Sequence, residues 1–376
     1  MTRRRTLTRL VTAPLLLGLV VAACGDDDET DDTSADETTD SSEPADEMSD
    51  EATASSEDMS EGASEPVELE TVSFQLDWVP NTNHTGLYVA DALGYYADAG
   101  IELEILPYSG SSGDTIVAEG QGDFAISFQN SITLSKPAGA EITTVAAVVQ
   151  HAAEAIAVRA DRDDIASPAD LDGKLYAGFG GAFEVPVMTA VIQAAGGEGE
   201  FESVILDTAA YEAVYNDSAD FVIPFKTWEG IEAELSDEPL KYFEYTDYGL
   251  PDQYSVIIIA QEAWLADNAD LATRFLDATR RGYQYGIENP DEAAQILIDE
   301  NPGVFSEPEL VFQSQQLLAD EYYLDDDGAW GCVTAEQFAG YSGFLYEAGI
   351  VAGPDGGTLA EEPDWSTFYD MTYLGC

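Results

Sequence analysis

An abrupt change of composition at residue 70 constrains this chain more than any other feature. From Gly25 to Glu70 it carries 20 acidic residues, 13 Ser or Thr, no aromatic and no basic residue. Such a tract has too little apolar surface to repay the entropy of folding. Residues 24–70 are therefore expected to form a disordered, self-repelling acidic tether. The rest must supply the core, and 376 residues with 45% hydrophobic and 10% aromatic content suffice for one large core or two lobes. Against 13 Lys plus Arg stand 74 Asp plus Glu, a net charge of −61. That balance excludes partners recognised through a phosphate backbone, nucleic acids first among them.

Ahead of the tether, residues 1–23 read as a signal peptide: Arg3, Arg4, Arg5 and Arg9 precede an apolar run from Leu10 to Ala23 that is short for a membrane span. Val21-Ala22-Ala23-Cys24 resembles a bacterial lipobox, which implies cleavage before Cys24, lipidation of its sulfur and an anchor on the extracytoplasmic face of the cell membrane. Cys332 and Cys376 then remain as an even pair outside the cytoplasm. Two readings stand for them, a disulfide pinning the C-terminus or two unpaired thiols.

From Thr71 onward strand-like and helix-like stretches alternate. Val72–Trp78 and Ile101–Ile105 have period two, and a helix-period stretch through Leu87, Ala90 and Leu93 joins them into a β-α-β unit. Apolar runs follow at Asp123–Phe128, Thr143–Val149, Ala155–Ala160, Leu175–Phe179, Val204–Leu206, Phe221–Phe225 and Tyr254–Ala260. They predict an α/β fold with parallel-rich sheets covered by helices. Beyond Ala260 helices dominate, around 270–286, 290–299 and 307–322, and Thr334 with Gln337 predicts a capping box opening another. The expected organisation is a discontinuous lobe of residues 71–160 plus 260–376 and a second lobe of residues 161–259. Two crossovers between them would make a hinge, and the cleft would be the ligand site.

Catalytic templates fail. There is no G-x-S-x-G, H-E-x-x-H or P-loop, and no spacing of the two His residues, His84 and His151, that builds a metal site, so neither catalytic residue nor metal nor cofactor is expected. His151 reads as structural. The Gly178-Phe-Gly-Gly181 turn is either a tight turn after a strand or an anion cradle of backbone N–H groups. Asp77-Trp-Val-Pro-Asn-Thr-Asn-His-Thr-Gly86 concentrates Trp, two Asn and a His where a strand opens onto a helix, the usual place of α/β ligand sites. The plain alternative there is a Pro-Asn turn with Asn83 as helix cap and Trp78 in the core.

Asp77–Gly86, with Leu87-Tyr-Val-Ala90 and Gly94-Tyr-Tyr, resembles the start of the substrate-binding proteins grouped with alkanesulfonate-binding protein and thiamine-pyrimidine synthase. It is most similar to the branch that binds pyrimidine precursors of thiamine. Ser167-Pro-Ala-Asp-Leu-Asp-Gly-Lys174, Gly178-Phe-Gly-Gly-Ala-Phe-Glu184 and Trp228-Glu-Gly-Ile-Glu232 agree with it, over roughly residues 71–350. The resemblance implies a type II periplasmic-binding-protein fold, two α/β lobes around a ligand cleft, and a monomeric lipoprotein delivering a small molecule to an ABC permease and its ATPase.

Ligand chemistry has to come from residues. No Lys or Arg lies between Arg9 and Lys136, which argues against sulfonate, nitrate and phosphate esters. A flat, amino-substituted heteroaromatic such as hydroxymethylpyrimidine or formylaminopyrimidine fits better, and a riboflavin-binding member of the same importer family is the alternative. Candidate stacking faces are Trp78, Tyr88, Phe183, Trp228 and Tyr254, each with ordinary core packing as the alternative; Glu184 and Glu229 would accept ring-amino hydrogens, and Asn81, Asn83 and His84 would serve ring nitrogens. Lys226 and Thr227 depart from the Gly that often precedes the Trp228 block. The related enzyme branch uses a Lys and a His on one strand and a Cys-rich motif. The matching run Asp123–Ser131 carries Ser127 and Ser131 at those positions, without a Cys-rich motif after it, and without the Lys there is no Schiff base. An enzyme is therefore not expected.

Overall fold

The computed structural model describes residues 69–108, 110–206 and 209–376. The expected signal peptide, lipidated Cys24 and acidic tether lie outside the described residues.

Nine strands are described: β1 (Glu70–Gln75), β2 (Ile101–Leu106), β3 (Phe124–Ser127), β4 (Ile142–Val149), β5 (Ile156–Arg159), β6 (Leu175–Gly178), β7 (Glu202–Ile205), β8 (Leu240–Phe243) and β9 (Val256–Gln261). Five build one sheet in the order β2-β1-β3-β9-β4, whereas β5 pairs with β8 and β6 with β7. In β1 the period-two pattern buries Val72 and Phe74, and its parallel register with β2 sets Val72 against Leu103. The parallel expectation holds only for β1-β2, β1-β3 and β6-β7, because β9 runs antiparallel to both β3 and β4 and β8 antiparallel to β5. Phe221–Phe225 is not a strand. Pro224 interrupts it, and only isolated bridges such as Tyr176 to Phe221 and Ala157 to Val222 form.

The helix Ala269–Glu288 covers one face of the large sheet, burying Leu271, Phe275, Leu276 and Tyr283 at helical spacing. Phe275 stacks on Phe124 at 4.4 Å and on Tyr96 at 5.3 Å. The same helix crosses Thr85–Ala92 so closely that a Cβ on Gly282 would lie 2.0 Å from the Gly86 carbonyl oxygen. A Cβ on Gly86 would in turn lie 2.3 Å from the Tyr283 ring, so the Gly that ends the Asp77–Gly86 block is also required by this helix crossing.

All eight residues of β4 are buried although the strand ends the sheet. The C-terminal segments cover its outer edge: Ala147 N–H donates to the Gly331 carbonyl at 2.8 Å and Thr144 N–H to the Phe368 carbonyl at 2.9 Å. A disulfide between Cys332 and Cys376, with Cα atoms 6.0 Å apart, ties those segments together. Thr334 caps the helix Ala335–Glu347 by accepting from Gln337 N–H at 3.3 Å, but the Gln337 side chain donates to the Gln150 carbonyl, so the capping box is half formed. Among the described residues no helix is long and apolar enough to cross a membrane.

Between β4 and β9 the chain builds the smaller sheets, leaving through Gln150–Ala155 and returning through Pro251–Ser255. Asp252 holds the two segments together, binding His151 Nδ1 at 2.7 Å and Ala152 N–H at 2.8 Å. His151 is structural here, and its hydrogen bond to Asp252 raises its pKa above the ordinary value.

A cavity walled by aromatics and carboxylates

Beside these crossing segments lies a cavity of about 390 Å³. Its walls are the Asp77–Asn83 loop, the segment Phe128–Ser131, the Gly178–Glu184 turn, Phe225–Glu229, and side chains from the crossovers, Glu154 and Gln253. No Lys, Arg or His is among its lining residues.

The Asp77–Asn83 loop is held from beneath. Tyr283 and Tyr323 hydroxyls donate to the carbonyls of Asn83 and Thr82 at 2.7 and 2.6 Å, and the Thr82 hydroxyl meets that of Ser314 at 2.5 Å. Asn81, rather than Asn83, is the capping residue, its Oδ1 accepting from Asn83 N–H at 2.9 Å. Both Asn residues line the cavity, as does Trp78, which is 39% exposed and tilts against Tyr108 with ring centres 5.0 Å apart. Trp78 therefore does not belong to the core.

His84 is fully buried and does not line the cavity. Its Nδ1 accepts from Asn81 N–H at 3.2 Å, which leaves the proton on Nε2, donated to Asp77 Oδ1 at 2.6 Å. Both ring nitrogens are spent on the loop, so His84 has nothing to offer a ring nitrogen of a ligand. Asp77, not singled out by the sequence, is the residue His84 presents to the cavity; among the described residues its second oxygen has no partner.

Tyr88 and Tyr254 are also placed elsewhere. Tyr88 points from its helix into an apolar cluster of Ala294, Leu297 and Val311, and burial pushes its phenol up to about 12. Tyr254 is 1% exposed, opens β9 and accepts at its hydroxyl from Thr334 N–H at 2.8 Å. Each is a core tyrosine with its hydroxyl satisfied.

Phe183 and Glu184 line the cavity, but Glu184 has other work than a ring-amino group. Its Oε2 accepts from the Tyr176 hydroxyl at 2.9 Å and Phe179 N–H at 3.1 Å, and its Oε1 from Gly181 N–H at 2.5 Å. The N–H groups of the Gly178–Gly181 turn do cradle an anion, and it is the protein's own carboxylate. Gly178 is obligatory, since a Cβ there would lie 2.3 Å from Glu184 Oε2.

Trp228 and Glu229 complete the predicted set at the cavity. Glu229 Oε2 accepts from Phe225 N–H at 3.0 Å, and burial raises its carboxyl to about 7 against the lowering effect of its hydrogen bonds to Phe225 and Tyr211. Near neutrality it can therefore both accept and donate. Glu154 lines the crossover side, accepting from Ser255 and, at 3.3 Å, from Gln253; burial raises its pKa. Sequence reasoning missed Asp77, Glu154, Phe128, Tyr176, Tyr211, Phe225 and Tyr245. Asp77 opens the Asp77–Gly86 block without having been assigned a role in it; the apolar runs around several of the others were legible as structure, yet no motif marked those as lining. Ser131 lines the cavity from the helix Gln129–Ser135, whereas Ser127 ends β3, buried against Asp114, so the two do not share a strand.

Two mixed-sheet regions joined by two crossovers beside one cavity are the arrangement of the periplasmic-binding-protein fold. The solved periplasmic aliphatic sulphonate binding protein SsuA of Escherichia coli has it too, at TM-score 0.58 and 16% identity, covering 81% of this chain and 99% of that one. The chain belongs to the NMT1/THI5-like family, which it matches over residues 81–293. It is 32% identical over 242 residues to the formylaminopyrimidine-binding protein of Halalkalibacterium halodurans, covering 63% of this chain and 72% of that protein. A second relative is the 4-amino-5-hydroxymethyl-2-methylpyrimidine phosphate synthase of Legionella pneumophila, 28% identical over 236 residues, covering 61% of this chain and 74% of that enzyme.

Proposed function

We propose that this protein is the extracytoplasmic solute-binding lipoprotein of an ABC importer. It captures a thiamine-type aminopyrimidine and hands it to a permease driven by its ATPase. The observation that carries the reading is the composition of the cavity wall. Aromatic rings stand on several sides, and every ionisable side chain among the lining residues is a carboxyl or a phenol. An anion would meet several carboxyls and no cationic side chain among the lining residues, whereas a flat ring bearing amino hydrogens finds stacking faces and acceptors. The formylaminopyrimidine-binding relative supports the same ligand class.

Capture proceeds by closure: the lobes of residues 71–160 plus 260–376 and of residues 161–259 hinge at the two crossovers, and ligand contacts from both favour the closed state. A lipid on Cys24 and the acidic tether keep the binding domain near its permease. No chemistry is done on the solute. The synthase relative raises the enzyme alternative, but the run Asp123–Ser131, which resembles that branch's Lys- and His-bearing strand, holds neither Lys nor His, and without the Lys no Schiff base forms there.

Native mass spectrometry of the purified protein tests this against hydroxymethylpyrimidine, formylaminopyrimidine, thiamine, riboflavin, taurine and choline. One-to-one retention of an unchanged aminopyrimidine is the expected result. Retention of riboflavin alone would overturn the ligand, and mass change of a bound pyrimidine would overturn the binding-only role.

A further inference from the structure

Tyr245 lies at the end of the excursion through the smaller sheets, in the turn that precedes Thr246–Tyr248. It is 4% exposed, packs with Tyr176, Phe221 and Leu250, and still lines the cavity. Its hydroxyl has no hydrogen-bond partner among the described residues. A buried hydroxyl left unpaired is costly, and such groups are kept in folded proteins where something else completes them.

The neighbours do not complete it. Glu184 is engaged by Tyr176, Phe179 and Gly181, Glu154 Oε2 by Ser255 and Gln253, and neither carboxyl accepts from Tyr245. Burial, together with the negative charge of Glu154 and Glu184, keeps the Tyr245 phenol protonated far beyond neutral pH. The unpaired group buried in this part of the cavity wall is therefore an O–H donor among acceptors.

We propose that the Tyr245 hydroxyl is a specificity-determining contact that donates to an acceptor atom of the bound solute, a ring nitrogen or a carbonyl or hydroxyl oxygen. This rests on the reading of the cavity as the solute site and adds a demand to it. The solute must carry an acceptor for Tyr245 as well as amino hydrogens for Asp77, so an aminopyrimidine is read from two sides by groups of opposite hydrogen-bonding sense. A ring with donors alone leaves the tyrosine unpaired and is rejected.

Tyr341 supplies the control, since its hydroxyl is also buried and unpartnered among the described residues but does not line the cavity. The full chain, Tyr245→Phe and Tyr341→Phe are titrated calorimetrically with hydroxymethylpyrimidine, formylaminopyrimidine and riboflavin, and their melting is measured without ligand. Tyr245→Phe is expected to weaken pyrimidine binding about tenfold or more while its unligated melting temperature holds or rises. Tyr341→Phe is expected to leave affinity unchanged. Pyrimidine affinity equal in Tyr245→Phe and the parent overturns the inference and leaves the proposed function standing. So does an equal loss in both variants, or a lowered unligated melting temperature confined to Tyr245→Phe. Riboflavin bound by the parent and lost by Tyr245→Phe supports the inference while removing the pyrimidine reading. No capture by the parent counts against both.

Discussion

The Asp77–Asn83 loop brings one carboxylate and one aromatic ring to the cavity, the Gly178–Glu184 turn one carboxylate and two rings, Phe179 and Phe183, and the two carboxylates are disposed of differently. Glu184 is 4% exposed and closes its own turn with three accepted hydrogen bonds. Asp77 gives one oxygen to His84 and keeps the other for whatever enters. A carboxylate in a cavity is a ligand group only to the extent that its lone pairs remain after the backbone and neighbouring side chains have been served. By that count the turn spends its carboxylate on its own architecture, and under the proposed function it is the loop that keeps one for recognition.

Breaking the turn should have the largest effect. Glu184→Ala strands the Tyr176 hydroxyl and two backbone N–H groups, so chemical denaturation is expected to show a loss of about 3 kcal/mol. A loss below about 1 kcal/mol would return Glu184 to the list of ligand contacts. Trp78→Ala in the loop should do the reverse. It is expected to cost about 2 kcal/mol of solute affinity with little change in denaturation midpoint, because the indole is exposed and rim-placed. Calorimetry giving unchanged affinity would leave Trp78 without a role in binding.

Asp77→Asn sharpens the comparison. The amide oxygen can still accept from His84, while the amide nitrogen presents a donor where the carboxylate presented an acceptor. Affinity for amino-bearing rings should fall by about 1.5 kcal/mol with the fold retained, and a ring lacking the amino group should lose nothing. Equal losses for both rings would make Asp77 a loop fastener like its partner.

The smallest effect belongs to Glu229. Its carboxyl is raised from 4.5 to about 7, mainly by burial, so the neutral form is the one the fold prefers. Its contribution to stability is complete below pH 4.5 and is lost as pH rises through about 7. Glu229→Gln should flatten the decline of melting temperature between pH 5 and 8, a difference on the order of 1 kcal/mol. An identical profile in the variant would mean that the group ionises freely.

Much of the large sheet was legible because its strands announce themselves locally, as the alternation at Val72 and Phe74 does. Leu240–Phe243 did not: four residues with a Lys among them form β8 only because β5 lies ready to pair. The direction of β9 was hidden for a related reason, since strand sense is set by the route of the chain rather than by side-chain period. Of the rings expected at the site, Trp78, Phe183 and Trp228 sit in motifs and line the cavity. Tyr88 sits inside a motif and Tyr254 opens an apolar run, but both face the core, and place in sequence does not tell which side of an element meets the cavity. Tyr245 carried no signal at all, because what distinguishes it is a missing partner, a property of the assembled surroundings.

The position of β9 between β3 and β4 has a consequence in time. The strand that separates two earlier ones is delivered only after the chain has built both smaller sheets. Until residue 261 arrives, β3 and β4 have no shared neighbour, and the pairing that joins them closes a very long loop. Completion of the large sheet is therefore held back until residue 261, and with it most of the polypeptide, has been made.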